Sequence, residues 1–224
     1  MCGRYTLATP AEELIETFDV GALTYEWFAS YNIAPGQDAP VVAEDTRGRR
    51  IGLLRWGLVP GWMDEPGSGF INARAESVAT KPSFREAYRR RRCLVPADGF
   101  YEWRRSSAVQ GGAKQPFWFH PREGGLVSFA GLWETWRRPD VEVLHTFTIL
   151  TTEANADVRG VHDRMPLVIA PDGRDAWLDS ASSGEQVAAL VRSVPDGTFG
   201  AHPVSTRVNR TAEDDAELIA PIEE

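Results

Sequence analysis

The chain has little cysteine. Two in 224 residues, Cys2 and Cys93, leave no disulfide framework and no four-thiolate zinc site. HExxH and CxxC spacings are missing, and no two of the four histidines lie close in sequence. A metal enzyme therefore has almost no support, and no cofactor is expected. No apolar run approaches the roughly 18 residues that a membrane-spanning helix needs. The opening MCGRYTLATP lacks a basic stretch followed by an apolar one, so no secretory signal is expected and a cytoplasmic protein is. Lysine is also scarce, with 22 of the 24 basic residues being arginine. A net charge of −8 argues at first against nucleic acid. Its distribution changes that, because residues 46–105 hold 13 basic and 6 acidic side chains while 111–224 hold 10 and 18. An acidic protein can still present one basic face, and arginine suits phosphate and base contacts.

What is present is a hydrophobic share of 42% with eight Trp and ten Phe, enough for one sizeable domain. Thr9-Pro10-Ala11-Glu12 predicts a capping box opening a short helix that buries Leu14, Ile15 and Phe18. Ser83–Glu86 predicts another, opening a helix that runs into Arg89–Arg92. Asp45-Thr46-Arg47-Gly48 reads as a hairpin turn. Strands are expected near 92–96, 98–103, 116–120, 126–133, 143–151, 166–170 and 200–206. Short helices are expected near 154–159, 172–179 and 184–192. Segments 63–69 and 105–114 read as mobile loops, and an acidic tail follows from about 211. Regular strand–helix alternation is missing. The expected fold is a single α+β domain of curved, mostly antiparallel sheets with a barrel-like core and a few short helices.

Cys93 sits in an apolar strand-like run and reads as a small buried hydrophobe. Cys2 lies one residue from the chain end and is expected to lack such cover. Loss of Met1 would expose a 1,2-aminothiol. Its α-amine, with a pKa of about 7.7–8.0, is roughly one-tenth free base at pH 7, against about 0.04% for a lysine. It would form an imine with an aldehyde, and the neighbouring thiol would close a five-membered thiazolidine. Taken alone, a cysteine behind an initiator methionine is ordinary.

Other polar residues fall in structured-looking segments. FINARAE puts Asn72 and Arg74 on one side if extended, GFYEW sets Glu102 among aromatics, and VHDRMP brings His162 to a short polar loop. His120, His145 and His202 carry no assigned role.

The motifs CGRY (2–5), YNIAPGQ (31–37), RWGLVPGW (55–62), INARAE (71–76), CLVPADGFYEW (93–103), FAGLWE (129–134), TTEAN (151–155), HDRMP (162–166) and HPVS (202–205) run in order along the chain. As a set they resemble the SRAP family (SOS-response-associated peptidase), whose members process abasic sites by DNA–protein crosslinking. The resemblance implies that Cys2 is the crosslinking nucleophile and that Asn72 holds the N-terminus and the sugar remnant. Glu102 and His162 would move protons. Arg4, Arg74 and Arg164 would contact phosphates. Pro35, Trp62 and Met63 would border the bases, with Trp56 either beside them or in the core. The family often has a second aromatic where this chain has Met63. Arg89–Arg92 reads either as a DNA-facing patch or as the solvated side of a helix end. The implied partner is single-stranded DNA carrying abasic sites, with single-strand/duplex junctions as a further form. A monomer bound to the nucleoid of a bacterium is expected, with lyase and self-processing steps among its activities. Two alternatives stay open. One is a thiol peptidase confined to removing Met1, with Glu102 and His162 assisting Cys2. The other is a non-enzymatic binding module with Cys2 idle.

Overall fold

The computed structural model describes residues 2–23, 25–104, 114–139 and 141–222. In chain order the regular elements are β1 (Tyr5–Leu7), α1 (Ala11–Phe18), β2 (Ser30–Ile33), β3 (Asp38–Asp45), β4 (Gly48–Trp56) and β5 (Asn72–Arg74). Then come α2 (Arg85–Arg90), β6 (Arg92–Ala97), β7 (Gly99–Arg104), β8 (Gln115–Pro121), β9 (Val127–Trp136) and β10 (Leu144–Glu153). The last are α3 (Ala156–Arg159), β11 (Arg164–Pro166), α4 (Arg174–Leu178), α5 (Gly184–Leu190) and β12 (Phe199–Pro203).

One sheet runs β12-β8-β7-β1-β2 and is antiparallel throughout. The other closes into a ring, β10-β4-β3-β6-β9 and back to β10, with β5 and β11 added along β10. The barrel-like core and the mostly antiparallel pairing match expectation. Two pairings, β10 with β4 and β10 with β5, are parallel. Seven consecutive buried residues in β10, from Thr146 to Thr152, fit a strand covered on both faces. Its β-branched and aromatic side chains suit that position. β9 accompanies its first half, and β5 and β11 flank its second half.

Aromatic rings join the two sheets. Tyr5 meets Trp56 edge-on at 5.2 Å and Phe129 at 6.1 Å, and Phe100 lies 6.0 Å from Phe129. The β3–β4 hairpin forms as expected, with the Arg47 N–H on Asp45 and Gly48 at φ +97°. Behind β4 the chain doubles back on itself. A Cβ at Gly57, where φ is +137°, would stand 2.3 Å from the Ser68 carbonyl oxygen.

Some expectations need correction. Neither N-terminal capping box forms. α1 starts at Ala11 after Pro10, because Thr9 gives its N–H and hydroxyl to Asp98 instead. Ile15 is half-buried, while Leu14 and Phe18 are buried. α2 starts after Phe84, where the Lys81 carbonyl already takes the N–H groups of Phe84 and Arg85. A complete capping box joins Ser183 and Gln186 at the head of α5. β11 lies earlier than expected and stops at Pro166, leaving a lone bridge between Val168 and Phe129. β12 stops at Pro203, and Ser205 caps a 3-10 turn over Thr206–Asn209. The loop expected at 105–114 lies outside the described residues except for its last position.

Candidate functional site

β1 lies inside its sheet, between β7 and β2. Tyr5 pairs with Phe100, and the Tyr101 N–H reaches the Arg4 carbonyl at 3.0 Å. Continued by one residue, this register brings Glu102 level with Gly3, beside Cys2. Cys2 is fully buried, contrary to the expectation of an uncovered chain end. The reason is that β1 enters the core as an inner strand and draws Cys2 in with it. Met1, whose loss the aminothiol chemistry requires, lies outside the described residues.

Three further segments converge on Cys2. The Asn72 side-chain amide donates to the Cys2 carbonyl at 2.8 Å, while Asn72 Oδ1 is buried without a partner among the described residues. Such an orphaned acceptor suits a ligand hydroxyl or ammonium. Asn72 is placed by β10 and by Trp56, whose Nε1 donates to the Ile71 carbonyl at 2.8 Å. Glu102 is 2% exposed. His162 Nε2 stands 4.0 Å from its Oε2. His162 Nδ1 lies 2.9 Å from the Arg164 backbone nitrogen and 3.2 Å from the Arg164 carbonyl oxygen, which fixes the ring with Nε2 turned toward Glu102. Asp163 also approaches Nδ1, at 3.0 Å, but its side chain is 87% exposed and its pull is screened.

The electrostatics follow from burial. Desolvation pushes the Cys2 thiol far up, and the Glu102 charge adds to the effect. The sulfur is therefore a thiol. Desolvation also raises the Glu102 carboxyl, with His162 pulling it the other way. The shift has a sign that can be tested. With its folded value above its unfolded one, Glu102 contributes most to stability below the unfolded value. That contribution is lost as pH rises through the folded value. Glu102→Gln is expected to exceed the parent chain by about 1 kcal/mol at pH 8 in urea unfolding, the gap closing toward pH 4. A gap of equal size at both pH values would show that the charge is not its source.

The cations are differently placed. Arg74 is exposed and without an ion-pair partner among the described residues. Arg164 grips Glu76 through both Nη atoms, at 2.7 and 2.9 Å, and also reaches the Thr151 carbonyl. Arg4 donates from Nη1 to Asn32 and to the Val208 carbonyl. Pro35 is exposed, Trp62 is 63% exposed, and Met63 is half-buried. Trp56 is fully buried and belongs to the core. In the Arg89–Arg92 run, Arg89 and Arg90 are exposed at the end of α2, as the solvated reading expects, and the other two are not. Arg92 is buried, donating to the carbonyls of Trp177, Tyr88, Arg89 and Asp179, and Arg91 pairs with Glu134. Sequence reasoning missed Asn32, a buried residue with four partners, because a single asparagine in a short strand carries no pattern.

The sequence model of one family, SOS response associated peptidase (SRAP), matches residues 1–211. The chain belongs to the SRAP family. Similar SRAP relatives carry the name abasic site processing protein. YoqW of Bacillus subtilis is 36% identical over 98% of this chain and 99% of its own. YedK of Escherichia coli is 32% identical over 99% and 100%. HMCES of Gallus gallus is 34% identical over 87% of this chain and 66% of its own. A crystal structure of a Bacteroides thetaiotaomicron protein shares the fold, with a TM-score of 0.87 at 22% identity over 99% of this chain and all of that one.

Proposed function

We propose that this SRAP chain processes abasic sites by trapping the ring-opened sugar in single-stranded DNA on Cys2, once Met1 has been removed. The observation that supports this reading is the meeting of Asn72, Glu102 and His162, from three distant segments, around one N-terminal cysteine.

The abasic sugar opens from its hemiacetal to an aldehyde, which needs a proton given and a proton taken. Glu102 and His162 serve that exchange. The α-amine attacks the aldehyde carbon and water leaves, giving an imine. The Cys2 S–H then adds across the C=N bond, forming the C–S bond and returning a proton to nitrogen. One water is the only by-product. Asn72 holds the Cys2 carbonyl and offers Oδ1 to the sugar. Arg4, Arg74 and Arg164 receive the flanking phosphates, which position the strand without reading its sequence. Pro35, Trp62 and Met63 form the base-contacting edge. A peptidase confined to Met1 is the second reading. The raised thiol weighs against it, since a thiolate is the usual peptidase nucleophile.

Intact-mass measurement of the protein mixed with abasic oligonucleotides tests the proposal. The expected adduct equals the two masses less one water, forms with single strands, and contains no Met1. An adduct on chains that retain Met1 would overturn it. Trp62→Ala is expected to weaken binding to undamaged single strands by about 1 kcal/mol, about fivefold. Unchanged affinity in fluorescence anisotropy would remove Trp62 from the interface.

A further inference from the structure

Asn32 is 1% exposed and every polar atom of its side chain is used. Its Oδ1 accepts from Arg4 Nη1 at 2.7 Å. Its Nδ2 donates to the carbonyls of Glu213 at 2.6 Å, Arg210 at 3.0 Å and Val208 at 3.4 Å. Arg4 Nη1 spends its second hydrogen on the Val208 carbonyl at 2.5 Å. Arg4 Nε is buried. Among the described residues Nη2 makes no hydrogen bond, and unlike Nε it is not a buried atom. The planar group is thus pinned along one edge and open along the other.

The carbonyls that do the pinning belong to residues 208–213, beside a segment that is itself clamped. Arg207 gathers Glu213, Asp215 and Glu217 at 2.6, 2.5 and 3.0 Å. Asp214 takes the Ser30 hydroxyl at 2.9 Å and the Tyr31 N–H at 2.5 Å. Trp103 Nε1 donates to Asn209 at 2.8 Å, and Val208 and Leu218 are buried against Tyr101. This acidic stretch continues past residue 211, where the family match ends. Three of its carboxylates, Glu213, Asp215 and Glu217, turn to Arg207, and Glu213 also meets Arg210 at 3.6 Å.

We propose that Asn32, together with the C-terminal segment it holds, positions Arg4 so that Nη2 faces a DNA phosphate. The proposal rests on the reading that Arg4 meets phosphate, and the test separates the two. Asn32 is a positioning residue, so its loss should weaken binding and leave chemistry on bound DNA alone.

The experiment measures affinity for an undamaged single-stranded oligonucleotide by anisotropy, and crosslinking rate against the concentration of its abasic counterpart. Arg4→Ala is expected to weaken binding about tenfold and to lower the salt slope by about 0.7. Asn32→Ala should weaken binding about fivefold and raise the half-saturating concentration equally, with the maximal rate within about twofold. In the Arg4→Ala background the same change should add less than about twofold. Asp214→Ala, at an exposed site, loosens the segment without touching Arg4. It should show a smaller loss with the same dependence on Arg4, and it decides the matter if Asn32→Ala does not fold. Equal losses in both backgrounds would reduce Asn32 to a purely structural brace and overturn the proposal. A harmless Arg4→Ala would overturn the phosphate reading itself.

Discussion

Cys2→Ala is expected to abolish the denaturant-resistant adduct, by at least about a hundredfold after a day of incubation. The amine remains, so the imine still forms, but it hydrolyses. Ring closure depends on a sulfur held two carbons away, and intramolecular attack of that kind gains several orders of magnitude over a free thiol. Borohydride should therefore rescue a covalent product from Cys2→Ala by reducing the imine. Denaturing gels with and without borohydride read both outcomes. A durable adduct from Cys2→Ala without reductant would exclude the thiazolidine.

The largest expected effect on stability belongs to Trp56. Its ring is fully buried, 5.2 Å from Tyr5, and stacked on Phe147 at 6.1 Å. Trp56→Ala is expected to cost about 4 kcal/mol. For a chain of this size that lowers the melting temperature by about 8–16 °C. Trp56→Phe keeps most of the packing and loses the bond from Nε1 to the Ile71 carbonyl, next to Asn72. Its expected signature is a stability loss of about 1–2 kcal/mol with a slower crosslink. Calorimetry showing Trp56→Ala within about 1 kcal/mol of the parent would mean that the ring is not the hub its contacts describe.

The sheets were legible where a run of apolar and β-branched residues was long enough to carry a period. RCLVPA in β6 and LHTFTILTTE in β10 are such runs, and DTRG marks the hairpin between β3 and β4. β1 and β5 span three residues each, too short for any period. The capping boxes failed for a different reason. A Thr or Ser three residues before Glu signals a cap only if its hydroxyl is left to turn toward the helix N–H groups, and that of Thr9 is turned to Asp98. That partner lies 89 residues away in sequence. In the site, the motifs named Cys2, Asn72, Glu102 and His162 through resemblance. Their mutual distances come from the pairing of β1 with β7 and of β10 with β5 and β11. The burial of Cys2 and the brace on Arg4 were illegible for the same reason, since both depend on strand order.

The inner position of β1 has a consequence during synthesis. Cys2 is among the first residues to leave the ribosome, while Glu102 and His162 follow about 100 and 160 residues later. Contacts of such wide separation form late, after the intervening chain has been made. A half-made chain therefore carries Cys2 uncovered, and its burial beside Glu102 and His162 is completed only once the chain has been made past residue 162.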